Sequence, residues 1–351
     1  MAMAAMALRT WINRVSKLVR RIFRQYGGRM LRTIISIGLA AGLWGVGPPV
    51  SAAAADRQVL CVLVPHFKDE YWLSVGFGLE EEARKQNVEL LFFEAGGYRA
   101  RATQIAQLER CAALGVDAIL IGAVSSDHPD LTETLAQVSA DTPVFGLINE
   151  IRSDALSARI GVDWTEMGHI LGTFLRDRHP SGSEPKTAVL LTGPAESGWT
   201  GPLEAGLRDG LTGSTVTILD IYRADTGLRQ QLRLAEEALE HHPKVDYLIG
   251  SAPAIEAAIG LFASHAAPPD RPQMLATYVS HTIKRSLMNG NVLAASFDDP
   301  MFQARLAMLA AVSEAPGQAR VVGPEVRLLR AGDETLGQIP TSPAEYFPTL
   351  Q

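Results

Sequence analysis

The sequence predicts an α/β protein of two doubly wound, parallel-sheet lobes joined by a hinge, behind an amino-terminal export leader. Three observations carry this. From Val59 onward, short β-branched and aliphatic runs alternate with helical stretches, one strand to one helix. The runs are continuously apolar rather than alternating, the mark of strands buried on both faces. The pattern then restarts after about residue 155, dividing about 295 residues into two units, each large enough for its own core.

In order, VLCVLV (59–64), VELLFFEA (88–95), DAILIGAV (117–124) and TPVFGLIN (142–149) read as strands. Leu73 to Gln86, Arg101 to Leu114 and Leu131 to Ala140 read as the helices between them. ARIGVDW (158–164) leads to a helix from Met167 to Asp177, then TAVLLTGP, a helix from Leu203 to Leu211, VTILDIYR, and a long helix from Gly227 to His241. VDYLIGSA, a helix beginning at Ala254, QMLATYVSH, NVLAASFDD, a helix from Met301 to Glu314 and EVRLLR complete the chain. The expected first lobe is 56–155 plus about 279–310; the second is 156–278 plus about 311–351.

Residues 1–55 differ from the rest. They hold eight basic side chains and no acidic one, then the apolar run TIISIGLAAGLWGVG and VSAAAAD. Basic start, apolar centre and small-residue end make a signal peptide, with cleavage expected near Ala54 or Ala55. The apolar run is shorter than the roughly 20 residues that span a bilayer, so no stable membrane insertion is expected after cleavage. The whole chain has 32 Lys+Arg against 38 Asp+Glu; without the leader's eight, 24 face 38, a net charge of −14. Such a surface repels nucleic acid and anionic lipid. Two cysteines, Cys61 and Cys111, enter an oxidising compartment, where a lone pair usually bridges; two buried free thiols are the alternative.

Ligands of open parallel sheets sit beyond the carboxyl ends of the strands. There this chain places Asp69, Tyr71 and Trp72, then Tyr98, Trp164 and Tyr278. Past the leader only Trp72, Trp164 and Trp199 remain as tryptophans, and all three follow strand ends. Aromatic faces carry negative quadrupole charge and attract a cationic or methylated nitrogen, at about 0.5–2 kcal/mol per well-placed face. Several rings with few formal charges suit a compact quaternary nitrogen. Trp199 reads as a packing residue, and GPAESGWTG (193–201) as the turn into a helix, since it matches no phosphate-binding loop. His66, His128 and His281 lack metal spacing and read as solvated loop residues. No nucleophile elbow or recognisable triad is present, which argues against an enzyme.

The stretches PHFKDEYWLSV, EAGGY, GVDW, YLIGSAPAIEAAI and YVSH resemble the trimethylamine-N-oxide sensors among the type 1 periplasmic binding proteins, from about Leu60 to near Asp299. The resemblance implies a periplasmic protein without cofactor. Its aromatic cage for the trimethyl group would fall on Trp72, Tyr98, Trp164 and Tyr278, with Asp69 and Tyr71 in the same motif. It also implies a partner, the periplasmic domain of a membrane sensor histidine kinase. Other methylated amines, such as choline or betaine, fit the same rings. A receptor for a sugar-type ABC importer is the second reading. Sugar pockets need many hydrogen-bonding groups, and the ESGWTG turn lacks the Arg such receptors carry.

Overall fold

The computed structural model describes residues 57–264, 271–313 and 321–351; the leader assigned to 1–55 lies outside them. The first sheet contains β1 (Val59–Val64), β2 (Glu89–Glu94), β3 (Ala118–Ile121), β4 (Val144–Leu147), β5 (Ala158–Ile160) and β11 (Val321–Val322). Its order is β11-β5-β4-β3-β1-β2, all parallel. The second contains β6 (Lys186–Thr192), β7 (Val216–Arg223), β8 (Tyr247–Gly250), β9 (Gln273–Ala276), β10 (Ala294–Phe297) and β12 (Arg327–Arg330). Its order is β12-β10-β9-β8-β6-β7, with β12 alone antiparallel. Two sheets wound in the same order give the expected two-lobed α/β architecture.

The helices are α1 (Glu70–Gln86), α2 (Arg101–Ala113), α3 (Pro129–Val138), α4 (Trp164–Arg178), α5 (Thr200–Gly210), α6 (Leu228–His241), α7 (Ala252–Ser264), α8 (His281–Met288) and α9 (Pro300–Ala311). They cover both faces of the sheets, as continuously apolar strands require. Along β1, Leu60, Val62 and Val64 enter one buried cluster while Cys61 and Leu63 enter another. Cys61 is joined to Cys111 of α2, tying the strand to the helix that covers it. Closing a loop across 50 positions contributes roughly 4 kcal/mol in the chain-entropy model. One buried apolar cluster contains residues of both lobes, Trp72 and Tyr98 with Trp164, Trp199 and Tyr278.

The lobe boundaries differ from the expected ones. β5 pairs with β4, so the chain leaves the first lobe after Ile160 rather than after residue 155. The segment from 281 to 297 belongs to the second lobe: α8 packs on α7, and β10 pairs with β9. Of the expected 279–310 return to the first lobe, only α9 makes it, by packing on α1. β11 then lies in the first sheet and β12 in the second. Strand composition marks a strand but not its partner, and pairing decides the lobe. The tail touches both lobes: Lys284 Nζ donates to Ile339 O at 2.6 Å, and Gln351 N donates to Phe92 O at 3.0 Å. Among the described residues no helix is long and apolar enough to cross a membrane.

Candidate ligand-binding site

Helix starts position the aromatic residues. Asp69 caps α1, its Oδ1 accepting from Tyr71 N at 3.0 Å, a contact contributing about 1 kcal/mol to the helix. The cap begins α1 three residues before the Leu73 that periodicity suggests, so Tyr71 and Trp72 occupy its first turn. Asp163 does the same for α4, accepting from Thr165 N at 2.8 Å and placing Trp164 first in the helix. Tyr98 follows Gly96 and Gly97, both at positive φ. A Cβ on Gly97 would lie 2.3 Å from Asp225 Oδ2, so the second lobe approaches this turn too closely for any other residue.

Helices α4 and α5 meet through glycines. A Cβ on Gly168 would lie 1.9 Å from Leu203 O, and one on Gly206 would lie 1.8 Å from Thr165 O. Their backbones therefore touch, and the contact brings Trp164 and Trp199 to a centroid distance of 5.4 Å. Trp199 is thereby a wall of the site, in contrast to the packing role its sequence context suggests. Tyr278 stands edge-on to Trp199 at 6.0 Å and to Tyr71 at 5.1 Å, and Tyr71 stands edge-on to Trp72 at 6.1 Å.

Asp69, Tyr71, Trp72, Tyr98, Ile148 and Asn149 of the first lobe and Trp164, Trp199 and Tyr278 of the second line one hollow. All six residues singled out from the sequence meet there. The cavity between the wall atoms is about 10 Å³, room for about one water. Three lining residues were not among the six site candidates. Trp199 carried a signal, its place after a strand end. Asn149 carried one too, as a polar side chain at the end of the fourth strand, but Ile148 carried none: it sits at φ +66°, rare for a β-branched residue, and so aims its carbonyl at Trp164 Nε1, 3.3 Å away.

The polar groups of the wall bond mainly to one another and across the lobes. Tyr278 Oη donates to Asp69 Oδ2 at 2.6 Å, Tyr71 Oη donates to Asp298 Oδ2 at 2.6 Å, and Asn149 Nδ2 donates to Tyr98 Oη at 3.2 Å. Burial pushes the Asp69 and Asp298 carboxyls up to about 6, with the tyrosine hydrogen bonds opposing it. Burial and then the facing carboxylates hold the Tyr71 and Tyr278 phenols well above their usual range. Each phenol therefore keeps its proton and leans on a carboxylate, which polarises its ring toward greater electron density.

Further contacts cross the cleft beside the hollow. His66 is fully buried, not solvated, with Nε2 3.1 Å from Asp225 Oδ1 and 3.0 Å from Thr226 Oγ1. Tyr98 N donates to Asp225 Oδ2 at 2.9 Å, and Thr282 N donates to Glu70 Oε2 at 2.8 Å. Burial would raise the Asp225 carboxyl, but His66 and the Tyr98 N–H hold it below its usual range. His128 caps α3, and His281 is bonded to Ser342 O. Among the described residues no group of three His, Cys, Asp or Glu side chains is arranged to hold a metal ion.

Comparison with known proteins agrees with the two-lobed α/β fold. The periplasmic binding protein domain model matches residues 60–319. Periplasmic protein TorT of Escherichia coli K12 is 36% identical over 271 residues, covering 77% of this chain and 76% of its own. A crystal structure of the TorS sensor domain–TorT complex in the presence of TMAO superposes at TM-score 0.73 and 33% identity, covering 84% of this chain and 100% of that one. An ABC transporter solute-binding protein from Bradyrhizobium sp. BTAi1 with bound bis-tris superposes at TM-score 0.69 and 31% identity, covering 85% and 90%. By its two-sheet fold and the span of these matches, the chain belongs to the periplasmic binding protein family.

Proposed function

We propose that this protein is a periplasmic sensor that closes its lobes around trimethylamine N-oxide and presents the closed form to the periplasmic domain of a membrane sensor histidine kinase. One observation carries the reading: six rings from both lobes, Tyr71, Trp72, Tyr98, Trp164, Trp199 and Tyr278, wall one small hollow. Trimethylamine N-oxide joins a positive nitrogen under three methyls to one strongly accepting oxygen. The rings suit the methyl face, and the carboxylates behind Tyr71 and Tyr278 make those two faces more negative. Because the walls come from both lobes, ligand binds the closed form better and shifts the equilibrium toward it. The partner and ligand named for the TorS–TorT complex support the same assignment.

The ligand has five non-hydrogen atoms. At about 1.5 kcal/mol per atom, the ceiling for very small ligands, binding reaches about 7 kcal/mol, a Kd of several micromolar. Isothermal calorimetry should find a Kd no tighter than this. Trp164→Ala should abolish the heat of binding while far-UV circular dichroism stays native. Unchanged affinity would remove Trp164 from the site.

The second reading, a receptor that delivers solute to an ABC importer, has the Bradyrhizobium relative in its favour. The hollow argues against a sugar as that solute. A hexose has several hydroxyls to satisfy, and Asp69, Tyr71, Asn149 and Tyr278 already bond within the protein. A calorimetric panel of methylated amines, bis-tris, ribose and galactose separates the readings: sugar binding alone would favour the importer.

A further inference from the structure

A cage of rings recognises methylated nitrogen but is indifferent to the fourth substituent. Trimethylamine N-oxide and tetramethylammonium have the same shape, with an oxygen in one where the other has a methyl. Buried in an apolar hollow, that oxygen needs a donor, since leaving it unpaired forfeits its hydration without replacement. Four of the side chains lining the hollow have their donors engaged already. Tyr71 Oη donates to Asp298, Tyr278 Oη to Asp69 and Trp164 Nε1 to the Ile148 carbonyl. The Asn149 amide donates to Ala123 O and Tyr98 Oη.

Trp199 stands apart. Among the side chains lining the hollow, its Nε1 is the one fully buried polar atom without a hydrogen-bond partner. The residue is 2% exposed, so bulk solvent does not reach that nitrogen. Its indole is wedged in place: a Cβ on Gly193 would lie 2.5 Å from Trp199 Cζ2, and Trp164 and Tyr278 pack against the same ring. Trp199 and Trp72 both approach Tyr98 Oη closely enough to oppose the rise that burial gives its phenol, though Trp199 Nε1 falls outside hydrogen-bond geometry to it. That corner gathers the N–H groups of Asn149, Trp72 and Trp199 around one phenol oxygen. Buried donors left unpaired are uncommon in folded proteins, and one facing a hollow is placed to be completed by what enters it.

We propose that Trp199 Nε1 donates the hydrogen bond that reads the oxygen of the ligand, making Trp199 the residue that selects an N-oxide over a fully alkylated ammonium ion. The proposal rests on the cage reading of the hollow. The oxygen then sits at the Trp199–Tyr98 corner, and the three methyls face Trp72, Trp164 and Tyr278.

The test is calorimetric titration of wild type and Trp199→Phe with trimethylamine N-oxide and with tetramethylammonium. Phe keeps a ring and removes the N–H. Wild type should prefer the N-oxide. The variant should lose roughly ten- to hundredfold in N-oxide affinity, the loss typical of a hydrogen bond to a charged acceptor, while its tetramethylammonium affinity stays within about threefold. If Phe at this site unfolds the protein, benzothienylalanine at 199, which replaces the N–H by sulfur at nearly unchanged shape, takes its place. Unchanged N-oxide affinity, or equal losses for both ligands, overturns the assignment and leaves the cage intact. Binding of neither ligand to wild type overturns the cage and the assignment together.

Discussion

Glu256, at the scale of single residues, shows what burial does to a carboxyl beside this cleft. Burial first, and then the neighbouring Glu70 charge, push it up to about 8, and Ser280 Oγ donates to it at 2.6 Å. It therefore holds a proton in the fold over a range where the unfolded chain, with the ordinary value of 4.5, has lost it. The stability it contributes is full below about pH 4.5 and is lost as pH rises through about 8. Asp69 and Asp298 act in the same direction between 3.8 and about 6. Asp225, held low, acts oppositely: its contribution is present above 3.8 and is lost as pH falls. Denaturant unfolding should thus give a stability maximum at about pH 4 or below and a decline from there toward pH 8. Glu256→Gln should flatten the part of the decline above about pH 6, and a variant that keeps the full slope would place the titration elsewhere.

The contact between α4 and α5, at the scale of elements, decides whether the hollow exists. Two helices of good amphipathic pattern would ordinarily pack 8–10 Å apart. Gly168 and Gly206 bring them closer, and the two helix starts then deliver Trp164 and Trp199 into ring contact. Gly206→Ala forces a methyl into the Thr165 carbonyl and should cost about 1–3 kcal/mol as overpacking. It should also weaken binding of trimethylamine N-oxide, because the indoles separate. Gly201→Ala on the same helix is the control: nothing lies within 4 Å of its Cβ, so stability should hold or rise and affinity should not change. Equal behaviour of the two variants in thermal melting and calorimetry would remove the close helix contact from the account.

The described structure is a closed form at the scale of the molecule, held by few groups. Asp225 of the second lobe takes hydrogen bonds from His66 and from Tyr98 N of the first. Asp225→Ala leaves Tyr98 N unpaired and His66 Nε2 with Thr226 Oγ1 alone in the closed form, whereas in an open form water reaches both. Small-angle scattering of the ligand-free variant should show a larger radius of gyration than wild type, and its affinity for trimethylamine N-oxide should fall. Saturating ligand should restore the compact value, since differential affinity for the closed form drives the shift. Identical radii without ligand would mean that this contact does not hold the lobes.

The sequence by itself determined the fold class and most of the wall. Continuous apolar strands and their alternation with helices specify a doubly wound sheet, because each is a statement about local burial. Trp72, Tyr98, Trp164 and Tyr278 were legible for the same reason: a large ring just past a strand end has no core of its own element to enter. Which strands pair, and so where each lobe begins, was decided only by the tertiary structure, as β5 and β10 show. So was the role of Trp199, which depends on glycines more than 25 residues apart on two helices letting backbones touch. So too was the burial of His66, whose partner Asp225 is 159 positions away. Such contacts join residues distant along the chain, and no local pattern records them.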